Sequence, residues 1–309
     1  MNNKHIMKGI TIAAIASAIW GISGTTLQFI SQNQNLPVAW YLSVRTLGAG
    51  TILLLISLLL YRKQTFAIFK DKTALAWLLA YATLGLMANL LTFYLAIQTG
   101  NASTATVLQY LSPLFIVIGA LVFKRQTPMK TDLIAFIISL LGVVLVITKG
   151  DFTQLAISVE SLLWGIGSGI TAAFYIVLPR PLAKDYSPII TLGWGTFIAG
   201  VLFNLYNPVW VGGPKLTLPI ILSVSTVIIF GMIIPFALLL YSARFAPSDV
   251  IGIMDALQPV TTTILSVIFL KLSINVMEVI GVCLVIIAIY VLQRGRRNLE
   301  AVNYREADF

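Results

Sequence analysis

Two ionisable residues stand inside otherwise apolar runs: Arg45 in WYLSVRTLGAG and Asp255 in IGIMDALQPV. A charge at the centre of a lipid bilayer costs at least about 2.5–3.5 kcal/mol, so each needs a use. Asp255 reads either as a buried, hydrogen-bonded acid or as part of a transport pathway. In a pathway it would bind a substrate ammonium or a coupling proton. Arg45 reads either as a structural tie that snorkels or caps carbonyls, or as a substrate-facing group.

Neither residue is alone. In the Asp255 run, Gly252, Asp255, Gln258 with Pro259, and Thr262 recur every three or four residues, which lines one face of a helix. Thr106, Gln109 and Ser112 with Pro113 do the same in NASTATVLQYLSPLFIVIGALVFK, residues 101–124. Each proline removes a backbone donor and clashes with the preceding turn, so carbonyls near Gln109 and Asp255 are freed to face a cavity. Pro113 and Pro259 are the expected hinges. Two further stripes are Trp20, Gly24, Leu27 and Gln28, and Trp164, Ser168, Thr171 and Tyr175. These are either packing or substrate contacts. The candidate substrate-binding set is Trp20, Gln28, Arg45, Asn89, Tyr94, Gln109, Trp164, Tyr175, Asp255 and Gln258. No catalytic residue is expected.

The elements that must position this set are membrane helices. Of 309 residues 58% are hydrophobic and 10% charged, and mean hydropathy is +0.94. A soluble domain carries roughly 25% charged residues. Apolar runs of about 20 residues, each able to cross a bilayer, predict ten helices: 9–30, 38–61, 74–97, 102–123, 132–148, 161–178, 189–205, 218–243, 248–270 and 276–292. The start resembles a secretory signal, but its apolar run continues to Ile30 and reads as an uncleaved first helix. With the amino terminus in the cytoplasm, the inner segments collect most of the Lys and Arg. They include Lys4, Lys8, Arg62, Lys63, Lys124, Arg125, Arg180 and Arg244, while the outer ones hold Lys149, Lys215 and Lys271. That asymmetry places both termini in the cytoplasm, and the plasma membrane is the expected location. It also accounts for the +9 net charge without nucleic acid.

The spans repeat. Gln109 and Pro113 match Asp255 and Pro259 at an offset of 146, as do Gly85 and Asn89 with Gly231 and Pro235, and Asp132 with Glu278. Trp20-Gly21 pairs with Trp164-Gly165. Five helices per half is an odd number, so the second half must enter the membrane inverted. Such repeats place a binding site at the midplane between them. The expected units are residues 8–148 and 158–294.

No P-loop lysine motif, HExxH or GxSxG occurs, and one cysteine excludes an internal disulfide or a zinc cluster. No cofactor and no metal are expected. The glycine spacings Gly165–Gly169 and Gly21–Gly24 read as close helix approaches.

YLAIQTGNASTATVLQYLSPLF, its counterpart SARFAPSDVIGIMDALQPVTTT, the two Trp-Gly pairs and Arg45 resemble the EamA-type families of the drug/metabolite transporter superfamily. The resemblance implies an all-α polytopic fold of two inverted five-helix repeats. It also implies a central cavity lined by helices one, three, four, six, eight and nine, and export or exchange of amino acids or related metabolites by alternating access, without ATP. The expected partners are a small-molecule substrate, optionally a coupling proton, and the lipid bilayer, with a monomer as the working unit. A lipid-carrier flippase or channel of the same fold is the alternative, and a membrane enzyme a more distant one. The family often carries a glycine-glutamate pair just after helices four and nine. Here those places read VFKRQTP and IFLKLSI, and a mechanism resting on that acid does not carry over.

Overall fold

A computed structural model describes residues 3–34, 36–125, 127–246, 251 and 254–307. It is helical, with no strand among the described residues. The helices are α1 (Asn3–Asn33), α2 (Val38–Tyr61), α3 (Lys72–Thr99), α4 (Ala102–Phe123), α5 (Lys130–Thr148) and α6 (Val159–Val177). Then come α7 (Pro188–Tyr206), α8 (Leu218–Ser242), α9 (Leu257–Leu270) and α10 (Val276–Ala307). Nine of these are long and apolar enough to cross a membrane, and α9 is a shorter apolar helix. The expected start of the ninth span at Ser248, and Gly252 of its polar stripe, lie outside the described residues.

Side chains such as Leu59, Phe123 and Phe269 are more than two-thirds exposed. An apolar exterior of that kind is suited to lipid rather than water. Inside, helices pair across the halves. α2 packs along α7, α5 along α10, and α4 crosses α9. α1 packs on α8 and α9, while α6 packs on α3 and α4. Small residues let these crossings close. A Cβ added at Gly21 would lie 2.6 Å from the Thr261 side chain, and one at Gly165 would overlap Leu108. The expected purpose of the glycine spacings is therefore visible in the contacts.

Three helices are interrupted, each for a physical reason. α4 breaks at Tyr110 and Leu111 and restarts at Ser112. Pro113 thus falls in a first turn, where its missing N–H leaves no intrahelical bond unmade. Pro259 likewise sits in the first turn of α9. α3 and α8 each contain a π-helical stretch, Tyr81–Met87 and Ile229–Ile233. These positions coincide at the 146 offset and hold the matched glycines Gly85 and Gly231. Pro235 starts the segment that follows in α8, and a wider turn is one way a helix absorbs a proline. Sequence reading placed the glycines and the proline but not the π turns. It also ended α10 at Leu292, whereas the helix continues to Ala307. Beyond Leu292 the chain is charged and rich in strong helix formers, so it extends a helix without being apolar.

The matched acids share one job. Asp132 Oδ2 accepts from the Met129 amide at 3.0 Å, and Glu278 Oε2 from the Asn275 amide at 3.2 Å. Both cap the first turn of their helices. Glu278 also pairs with Lys149 at 3.1 Å, which ties the start of α10 to the end of α5.

Candidate functional site

A cavity of about 390 Å³ lies at the centre of the bundle. α1, α3, α4, α6, α8 and α9 line it, as expected, and α2 and α10 join through Arg45, Ile289 and Gln293. Trp20, Arg45, Asn89, Gln109, Tyr175, Asp255, Gln258 and Pro113 all face it. Four sequence stripes, with Arg45 and Asn89 from two further helices, therefore converge on one space.

The cavity has two polar walls of different character. On the first, Gln109 Nε2 donates to Ser168 Oγ at 3.1 Å and to Asn89 Oδ1 at 3.4 Å. Asn89 Nδ2 in turn donates to the Ser168 carbonyl at 3.1 Å and to Thr171 Oγ1 at 3.3 Å. Thr92 and Thr171 hydroxyls meet at 3.0 Å. This wall is an amide and hydroxyl network joining α3, α4 and α6, and its members satisfy one another.

The second wall carries Asp255. Ser17 Oγ donates to its Oδ1 at a long 3.4 Å. Tyr110 Oη donates to the Asp255 carbonyl at 2.6 Å and to Gln258 Oε1 at 3.3 Å. The break at Tyr110 aims its ring across to α9, so the interruption in α4 also fixes the turn that presents Asp255. Where Asn89 supports Gln109, the matched position in α8 is Pro235, which offers no donor. Asp255 therefore keeps acceptor capacity toward the cavity.

Aromatic rings close the floor. Trp20 Nε1 donates to the Gly231 carbonyl in the π turn of α8 at 2.9 Å. Its ring meets Phe236 edge-on at 5.4 Å. Phe236 lies 6.4 Å from Tyr175, and Tyr175 lies 5.7 Å from Tyr81. Beyond this layer is a second, almost wholly apolar cavity of about 360 Å³, lined by Leu53, Pro179, Pro188, Leu192 and Leu240 among others. Tyr175, Ile176 and Phe236 border both spaces.

Four predicted residues lie elsewhere. Gln28 is buried, and its Oε1 accepts from the Ala102 amide at 2.8 Å while Nε2 donates to Gln32 at 3.0 Å. It serves as an extra cap for α4. Tyr94 is fully buried and packs on Tyr41, with ring centroids 5.2 Å apart. Trp164 turns back to Glu160 Oε1 at 3.3 Å. Pro259 is buried behind the cavity wall. Conversely, Ser23, Phe93, Tyr110 and Gln293 line the cavity without having been predicted. Of these, Tyr110 had a signal: it stands between Gln109 and the Ser112-Pro113 restart. Among the described residues no group of His, Cys, Asp or Glu is arranged to hold a metal.

The EamA-like transporter family model matches this chain twice, at residues 7–148 and 160–294. An uncharacterized inner membrane transporter of Salmonella typhimurium strain LT2, YicL, is 30% identical over 94% of this chain and 97% of its own length. The threonine/homoserine exporter RhtA of Salmonella typhimurium strain SL1344 is 24% identical over 63% of this chain and 64% of its own. An uncharacterized transporter of Bacillus subtilis strain 168, YrdR, is 23% identical over 94% and 92%. One crystal structure superposes with a TM-score of 0.60 at 15% identity, covering 97% of this chain and all of that one, which is a likeness of fold.

Proposed function

The chain belongs to the EamA-like transporter family, a multi-pass membrane transporter, and on that premise we propose that it exports or exchanges amino acids or related small metabolites. Movement is by alternating access about the central cavity and needs no ATP. The observation that carries this reading is Asp255, an acceptor with spare capacity on the wall of the central cavity, where the two matched halves meet. A substrate ammonium fits that acceptor better than any donor in the cavity wall does. RhtA, named for export of two hydroxylated amino acids, supports the class of cargo.

In the proposed cycle the Gln109 wall supplies neutral hydrogen bonds to the cargo and the Asp255 wall supplies charge. The aromatic layer of Trp20, Phe236, Tyr175 and Tyr81 separates the cargo from the apolar cleft. The two π turns and the two proline-started segments sit beside the cavity, where helices have the fewest regular bonds to break on bending. The proposed setting is the plasma membrane with both termini cytoplasmic, and the apolar cleft then opens toward the cytosol. Basic residues concentrated in the inner segments support that orientation.

The test is flux into proteoliposomes containing the purified protein, with radiolabelled amino acids including threonine and homoserine, and no ATP. Saturable flux of at least one amino acid is expected, trans-stimulated by the same amino acid on the other side. Absence of flux for every amino acid, from protein that remains folded, overturns the cargo class.

A further inference from the structure

We infer that Arg45 is the anion-binding end of the central cavity and holds the carboxylate of the substrate. The inference rests on the transport reading above and adds to it the chemical class and polarity of the cargo. Arg45 is only 7% exposed, yet it lines the cavity. Its Nε and Nη1 have no hydrogen-bond partner. A structural arginine would spend these donors on carbonyls or hydroxyls, because a buried charge left unpaired is strongly unfavourable. Tyr41 lies one helical turn before Arg45, close enough for its hydroxyl to interact with the guanidinium, yet Nε and Nη1 make no hydrogen bond with it, and the hydroxyl of Tyr94, which packs beside it, is unpartnered. Nor does Arg45 pair with Asp255, the other ionisable residue lining the cavity. The guanidinium fork is thus held by burial beside Tyr41, with Nε and Nη1 left as donors whose geometry suits a carboxylate.

One cation and one anion, unpaired with each other, face a single space that is otherwise neutral. A zwitterion satisfies both: its carboxylate takes Arg45 and its ammonium takes Asp255. An amine without an acid, or an acid without an amine, leaves one buried charge uncompensated. The cavity therefore selects α-amino acids, or cargoes with the same pair of charges, over either half alone.

The experiment measures the thermal midpoint of the purified protein in detergent against titrated ligands. The probes are L-threonine, L-homoserine, their carboxamides, N-acetyl-L-threonine, acetate, succinate and inorganic phosphate. The free amino acids are expected to raise the midpoint, with the carboxamides needing at least about tenfold higher concentration for the same shift. Arg45→Gln should erase that difference, Arg45→Lys should retain part of it, and Asp255→Asn should keep it while weakening all amines. The lysine variant keeps the charge and guards against misreading a folding defect. Carboxamides as effective as the acids, or an Arg45→Gln protein that still prefers acids, overturns the subsite. So does the lack of a shift with any acid or phosphate. If only N-acetyl-threonine, succinate or phosphate binds, and binding needs Arg45, the anion subsite stands and the amino-acid reading falls. Amino-acid flux that is unchanged in Arg45→Gln leaves transport standing and removes the subsite.

Discussion

Replacing Asp255 with asparagine separates charge from shape at the centre of the cavity. The two side chains are nearly isosteric, and the long 3.4 Å bond from Ser17 can persist to the amide oxygen. The 2.6 Å bond from Tyr110 goes to the Asp255 backbone carbonyl and persists. What is lost is a carboxylate available to a substrate ammonium. A hydrogen bond to a charged group is worth about 1.5–3 kcal/mol, against about 0.5–1.5 kcal/mol for a neutral one. The difference of roughly 1–2 kcal/mol corresponds to about five- to thirtyfold in affinity. The half-saturating concentration for an amino acid in proteoliposome flux should rise by that factor. Thermal stability should change little, since removing a buried charge lifts its desolvation cost while weakening the contacts that Ser17 and Tyr110 make to the carboxylate. Both readings come from one preparation. A variant with unchanged affinity and unchanged flux refutes the ammonium role of Asp255. A variant that loses several degrees of thermal midpoint refutes the view that its carboxylate is free of structural duty.

Trp20→Phe keeps the ring against Phe236 but removes the bond to the Gly231 carbonyl. Stability should fall by about 1 kcal/mol, the net worth of one neutral hydrogen bond, and the unfolding midpoint in detergent checks it. Gly165→Ala should destabilise the α4–α6 crossing by about 1–3 kcal/mol through overlap with Leu108. Gly119→Ala, where an added Cβ meets nothing within 4 Å, should stabilise by about 0.5–1 kcal/mol. Unfolding midpoints in detergent that fail to move in opposite directions contradict this. Lys271 is left-handed at φ 53° just after α9, as Arg125 is at φ 52° just after α4. Lys271→Gly should therefore raise the midpoint by relieving about 1 kcal/mol of backbone strain. Cysteine placed at Lys215, in a Cys283→Ser background, should react with an impermeant thiol reagent applied outside whole cells. Reaction only after lysis reverses the proposed orientation.

The helices and their interruptions at Pro113 and Pro259 could be read from the chain because apolar length and missing backbone donors act locally. The π turns could not. Gly85 lies against Tyr175 and Gly231 against Ser23, close approaches made by other helices that the local sequence does not announce. The helical stripe of Trp20, Gly24, Leu27 and Gln28 predicted one shared face correctly. It did not show that the cavity lining ends at Leu27, with the Gln28 amide claimed by the start of α4. The two tryptophans looked equivalent, but only one reaches the cavity. Glu160 lies one turn before Trp164 and accepts its indole N–H. The corresponding place before Trp20 is Ala16, so that indole finds the Gly231 carbonyl instead. The difference was present in the sequence but becomes meaningful only once the partner is known. Arg45 was visible as an anomaly from the outset; its empty donors required coordinates.

The matched halves agree in backbone and disagree in side chains, and the disagreement falls where binding is proposed. Both have a π turn at the same register, a proline in the first turn of a renewed helix, an acid at a capping position and a left-handed residue after the broken span. These features govern where the helices can bend, and bending must be available to each half if the cavity is to face both sides in turn. The cavity wall is different. Asn89 gives Gln109 a partner, so that wall is satisfied and rigid. Pro235 at the matched place denies Asp255 the same partner, so the carboxylate stays available. A symmetric wall of two amides would bind a neutral cargo in two equivalent poses. One satisfied amide wall facing one sparsely bonded carboxylate, with Arg45 contributed by α2, would give the proposed charged cargo a single favoured orientation. That proposed preference follows from the exchanges of Gln109 for Asp255 and Asn89 for Pro235 between otherwise matching spans.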